Sequence, residues 1–132
     1  MLVDTSFLVA LLSGDDQHHV WAVSQVRAHP HPWHACDAVL SEAYHLLQRR
    51  KGESRLLELI ERGVVHSGFH FDAEMTFILP LLRKYADVPM SFADGCLVRM
   101  AEIMPEPILL TADEDFRVYR RFGRNVIPCR LP

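Results

Sequence analysis

Several short apolar runs in this chain lead at once into a polar residue and then into an amphipathic segment. No other feature restricts the fold as much. Met1-Leu2-Val3 leads into Asp4 and the stretch Thr5 to Leu12, and Ile108-Leu109-Leu110 leads into Thr111 and Asp113. Runs so short and so apolar suit strands buried on both faces, while the segments between them carry helical periodicity. Helices are predicted over 5–12, 18–28, 37–51 with Gly52 as the stop, 53–62 closed by Gly63, 72–85 with a kink at Pro80, and 91–104 ended before Pro105. Strands are predicted over 1–3, 34–36, 64–66, 108–110 and 126–128, the last an edge strand because it contains Pro128. His29-Pro30-His31-Pro32-Trp33 must be loop. Asp113 to Phe122 reads as a short helix. Strands alternating with helices predict an α/β chain: one domain over 1–132, an α/β/α sandwich with a mostly parallel sheet of about five strands.

Composition removes several classes. A chain of 132 residues with 49% hydrophobic and 23% charged residues is long enough for one buried core and is of ordinary globular make-up. A strand starting at Met1 leads us to expect no signal peptide, and no apolar run has the length of a membrane span. Cys36, Cys96 and Cys129 are odd in number and far apart, which fits reduced thiols in a cytoplasm. There is no Walker-type loop and no Gly-x-Ser-x-Gly turn.

The net charge of −3 does not advertise a nucleic-acid partner, but its distribution is uneven. After Asp115 no acidic residue occurs, while Arg117, Arg120, Arg121, Arg124 and Arg130 do. Along and just beyond a helix over 113–122, Arg117, Arg120, Arg121 and Arg124 recur at helical spacing, so several would share one face and could contact an RNA backbone. A second cluster is Arg49, Arg50, Lys51 and Arg55. Solvated helix faces explain both clusters equally well.

Four carboxylates carry the chemistry: Asp4, Glu42, Asp94 and Asp113. Asp4 and Asp113 follow predicted strands directly, so both fall at the carboxyl edge of a parallel sheet, where ligands gather. Each aspartate has a plainer reading as a helix cap, and Asp94 stands at capping-box distance from Ser91. Glu42 borders the apolar stripe Val39, Leu40, Ala43, Leu46, Leu47, which capping does not explain. A glutamate at the stripe's solvent edge remains the alternative. Asp115 is either a further acid of the site or a first-turn helix acid. Carboxylates gathered in one place repel unless a cation is present, and oxygen ligands of this kind suit Mg²⁺ or Mn²⁺. His29, His31 and His34 lack a companion ligand motif and read as loop residues, and His45 as a surface residue.

Val3-Asp4-Thr5-Ser6-Phe7-Leu8, Leu40-Ser41-Glu42-Ala43, Phe92-Ala93-Asp94-Gly95 and Leu110-Thr111-Ala112-Asp113-Glu114-Asp115-Phe116 resemble, in order and nearly end to end, the PIN domain. Within it the likeness is to VapC-type toxin ribonucleases. The resemblance implies a metal-dependent endoribonuclease with RNA as substrate, an antitoxin protein as partner and a homodimer, and with no apolar run of membrane length no membrane partner is expected. It implies that Asp4, Glu42, Asp94 and Asp113 form the acidic site, with Asp115 as a further metal ligand. Asp4, Asp94 and Asp113 would be the main ligands of Mg²⁺ or Mn²⁺, with Glu42 holding water or a second ion. Ser6 and Thr111 match the hydroxyl positions that orient the carboxylates. Gly95 stands where alanine is more usual and would loosen the start of its helix.

Two other classes are open to a cluster of acids at a sheet edge. A receiver-type phosphoacceptor would need a late lysine, and only Lys51 and Lys84 are present. A PIN-like module that binds RNA or protein without cleaving is the other.

Overall fold

The computed structural model describes every residue from Met1 to Pro132. Its helices are α1 (Thr5–Leu12), α2 (His19–Ala28), α3 (Asp37–Gln48), α4 (Glu53–Glu61), α5 (Phe71–Lys84) and α6 (Phe92–Ile103). Its strands are β1 (Leu2–Val3), β2 (Trp33–His34), β3 (Val65–His66), β4 (Leu109–Leu110), β5 (Arg120–Arg121), β6 (Asn125–Val126) and β7 (Cys129–Arg130). Five of the strands form one sheet in the order β3-β2-β1-β4-β7, with every pairing parallel. The α/β sandwich with a parallel sheet of five strands is therefore as the sequence predicts. The chain moves outward in both directions from β1, so the strand order reverses beside it. In open parallel sheets that reversal opens a crevice at the carboxyl ends of the strands.

Alternation along the strands divides the core. Trp33 of β2 meets Phe7 of α1 edge-on at 5.4 Å, and Phe7 meets Trp21 of α2 at 5.8 Å. The next residue, His34, points to the other face. There it borders a groove with Met100 and Met104, at the end of α6. The helix α1 packs on α2, α3 and α4, while α5 packs along α6. Gly95 of α6 makes that last contact close: a Cβ there would lie 2.9 Å from Leu82 Cδ2 and 3.4 Å from Ile78 Cγ2 of α5. Its place is explained by helix-to-helix approach rather than by looseness at the start of α6.

The C-terminal segment departs from expectation. Only Glu114–Arg117 winds, as a single 3-10 turn. The chain then forms an antiparallel hairpin, β5 against β6. Phe116 and Tyr119 are both fully buried, which ties the segment to the core at two points. Phe122 and Gly123 take left-handed backbone, with φ of 53° and 77°, and reverse the chain. A helix through 122 cannot accommodate that reversal. The arginines therefore do not share a helical face. Since residues 125–126 are used in the hairpin, the last sheet strand is Cys129–Arg130 rather than 126–128. Pro128 still serves the sheet as an acceptor, taking the Leu109 amide at 2.8 Å. After α3 the left-handed residue is Lys51 (φ 56°), and Gly52 caps α4 instead of ending α3.

Candidate active site

Asp4 is the floor of the crevice. It leaves β1 directly and is only 5% exposed. Its Oδ1 accepts the Thr5 amide at 2.7 Å, which caps α1. Its Oδ2 accepts two hydroxyls, Ser6 Oγ and Thr111 Oγ1, each at 2.8 Å. Both hydroxyls are used twice: Ser6 also accepts the Ala112 amide at 2.9 Å, and Thr111 the Asp113 amide at 3.0 Å. One carboxylate and two hydroxyls thus stitch the end of β1 to the end of β4. Burial pushes the Asp4 carboxyl up to about 6, against the pull of the Ser6 and Thr111 hydroxyls, and the negative charge of Asp94 adds to the rise.

Asp94 reaches the same crevice from the first turn of α6. A complete capping box holds it there: Ser91 Oγ accepts the Asp94 amide at 3.0 Å, and Asp94 Oδ2 accepts the Ser91 amide at 3.2 Å. The Tyr119 hydroxyl donates to the same Oδ2 at 3.0 Å. Burial raises the Asp94 carboxyl above its ordinary range; the Ser91 and Tyr119 hydrogen bonds oppose the rise, and the charge of Asp113 adds to it. Asp113 caps the 3-10 turn through Oδ1, which accepts the Asp115 amide at 2.9 Å. Glu42 projects from α3 at the rim, where its Oε2 accepts Thr5 Oγ1 at 3.1 Å.

Asp4, Glu42, Asp94, Asp113 and Asp115 all line one cavity of 390 Å³. Capping and convergence are not alternatives here, since each of the three aspartates does both. Glu42 is exposed rather than set in the apolar stripe, whose buried members are Val39, Ala43 and Leu47. Thr111 lies fully buried beneath the cavity, and Ser6 lines it. Thr5, Tyr119 and the loop residues Asp16, Gln17 and His18 were not picked out by sequence. The first two hold Glu42 and Asp94, and the loop lines the cavity. Only Thr5, a hydroxyl beside Asp4, offered a local signal.

None of the C-terminal arginines lines this cavity. Arg117 pairs with Glu114, one Arg120 nitrogen donates to the carbonyls of Arg117, Val118 and Tyr119, and Arg121 donates to the Ala101 carbonyl at 3.1 Å.

The donor set is all oxygen, as Mg²⁺ or Mn²⁺ prefers. Asp94 Oδ1, Asp113 Oδ2, Glu42 Oε1 and both Asp115 oxygens carry no hydrogen bond and are free to ligate. As placed, no three acidic, histidine or cysteine side chains are close enough together to hold an ion. The residues nonetheless fit a cation in kind and location, by an all-oxygen donor set around one cavity.

Fold and site together define an α/β domain with an acidic cavity at the switch point of its parallel sheet. The PIN domain family model matches residues 1–121, and the chain belongs to that family. VapC20 of Mycobacterium tuberculosis, a Sarcin-Ricin loop cleaving toxin, has a similar crystal structure: TM-score 0.71, 26% sequence identity, 89% of this chain and 92% of that chain covered. No curated protein matches by comparison. No helix is long and apolar enough to cross a membrane.

Proposed function

We propose that this chain is a Mg²⁺- or Mn²⁺-dependent endoribonuclease and the toxin of a toxin–antitoxin pair. The observation that carries the reading is the convergence of Asp4, Glu42, Asp94, Asp113 and Asp115 on one cavity of a PIN domain. The likeness to VapC20 supports RNA as substrate and an antitoxin as partner. Homodimerisation is what membership of the family suggests, and a cytoplasmic location is suggested by three cysteines that stand as free thiols.

Asp4, Asp94 and Asp113 would be the main ligands, with Glu42 and Asp115 completing the set. When bound, the ion supplies a Lewis acid for a phosphoryl oxygen and acidifies water for attack on phosphorus. The protein's own part is orientation. Ser6 and Thr111 fix the Asp4 carboxylate, Tyr119 and the capping box fix Asp94, and Thr5 holds Glu42 at the rim. The raised Asp4 carboxyl keeps its proton more readily than an ordinary aspartate, so cation and proton compete for it.

The test is cleavage of total cellular RNA in Mn²⁺ and in EDTA, mapped to single nucleotides. A hairpin carrying the sarcin–ricin loop is the first defined substrate to include, because VapC20 cleaves that loop. Discrete cuts in Mn²⁺, absent in EDTA and from Asp94→Asn, are expected. RNA left whole in Mn²⁺ by a protein that nonetheless binds it would identify a binding module instead.

A further inference from the structure

One stretch of the cavity lining is neither strand end nor acidic helix. Asp16, Gln17 and His18, between α1 and α2, line it together with the carboxylates. Among all the side chains lining the cavity, His18 is the only one able to carry positive charge, and Gln17 is the only amide. The remaining polar side chains there are carboxylates or hydroxyls.

The loop is held firmly. Asp16 Oδ1 accepts the His18 amide at 2.9 Å, and Asp16 Oδ2 accepts Arg50 at 2.9 Å. Arg50 follows α3, the helix that carries Glu42, so the loop and the rim glutamate share one support. The adjacent His19 is committed elsewhere, its Nδ1 lying 2.8 Å from the Ala10 carbonyl. The His18 ring makes no hydrogen bond within the protein and is half-exposed. Arg120 and Arg121, the cations nearest in sequence to Asp113 and Asp115 apart from Arg117, each commit a nitrogen to backbone carbonyls and do not line the cavity.

An RNA strand entering this cavity brings phosphate anions toward six carboxylates, Asp16 among them. A bound cation offsets that repulsion at the scissile phosphate, but the neighbouring phosphate needs a donor of its own. We propose that His18 is that donor: a substrate-positioning residue that contacts the RNA phosphate beside the scissile one, held in place by the Asp16–Arg50 pair. This rests on the nuclease reading and extends it to the protein's own grip on the strand.

The experiment measures binding of a fluorescent RNA hairpin across a salt series, in the non-cleaving Asp4→Asn background, alongside KM and kcat in the otherwise native protein with Mn²⁺. His18→Ala should weaken RNA binding about tenfold, the order expected for loss of one hydrogen bond to a charged group, and reduce the salt slope by at most about 0.7, the amount for a fully charged ring. It should raise KM while leaving kcat and Mn²⁺ affinity near native. His18→Arg should restore binding and slope, which a purely structural role for the ring would not allow. Asp16→Ala, which frees the loop, should lose part of the affinity. Unchanged affinity and salt slope in His18→Ala overturn the assignment, as does a His18→Arg variant no better than His18→Ala. Native protein that cleaves RNA with a KM indifferent to His18 overturns this inference alone. Native protein that neither binds nor cleaves RNA overturns the nuclease reading along with it.

Discussion

Around the cavity the acidic side chains keep oxygens without a partner, while in the C-terminal hairpin three of the four arginines are already tied to acceptors within the protein. Asp94, Asp113 and Glu42 each use one oxygen to bind the protein and leave the other without a partner. Arg120 spends one nitrogen on three successive carbonyls, and Arg121 reaches into the end of α6. Arg124 alone among the four makes no side-chain hydrogen bond or ion pair in the protein. Charge in the sequence is therefore a poor guide to charge on offer. The negative region is built to receive something, and most of the positive region is built to hold the hairpin.

The largest effect should come from the reserved oxygens. Asp4→Asn and Asp94→Asn keep side-chain size and the capacity to cap a helix, so both proteins should fold. Each should lose cleavage by at least about 100-fold, roughly 2.7 kcal/mol in the barrier, together with Mn²⁺ binding measured by calorimetry. Native-rate cleavage by Asp94→Asn would erase the contrast between the two regions.

Next in size is the response to pH and metal. The Asp4 carboxyl sits near 6 in the fold, against an ordinary value of 3.8, so the folded protein binds its proton more tightly than the unfolded chain. Stability from this group is present below about 3.8 and lost as pH rises through about 6, amounting to about 3 kcal/mol at most. The raised Asp94 carboxyl acts in the same direction. Thermal melts of metal-free protein should fall between pH 4 and 7, and the fall should shrink in Asp4→Asn. Mn²⁺ at about 100 times its Kd should add about 2.7 kcal/mol at pH 7 and progressively less toward pH 5. A metal-induced shift that grows on acidification would contradict the site.

Smaller effects should separate the arginines from one another. Arg121→Met removes the donor to the Ala101 carbonyl and should cost about 1 kcal/mol in denaturant melts, with little change in RNA affinity. Arg124→Ala should leave stability within about 0.5 kcal/mol and lower the salt slope of RNA binding by about 0.7 at most. If Arg121→Met instead loses RNA binding at native stability, the hairpin arginines are on offer after all.

The part of the fold that sequence made legible is the part that local pattern controls. Met1-Leu2-Val3-Asp4 and Leu109-Leu110-Thr111 read correctly because a buried strand followed by a cap is a local signal, and the sheet edge then follows from topology. Residues 113–122 read as a short helix, and the helical spacing of Arg117, Arg120, Arg121 and Arg124 agrees with that reading although only Glu114–Arg117 winds. What decides their structure is remote: Tyr119 against Asp94, Arg121 against Ala101, and the buried Phe116. Glu42 does border its apolar stripe, but on the solvent side, exposed at the cavity rim and held by the Thr5 hydroxyl. His18 looked like the start of a helix, and only the folded loop brings it to the cavity.

Tyr119 packs edge-on against Tyr85 and Phe116, at 5.1 and 5.2 Å, and gives its hydroxyl to Asp94. The near-ultraviolet band of a phenol depends on how strongly its acceptor draws on the O–H bond. Whatever neutralises Asp94 therefore changes the colour of a ring already fixed in the core. The protein carries its own optical gauge of the cavity's charge, readable as a difference spectrum without substrate or label, and abolished by Tyr119→Phe.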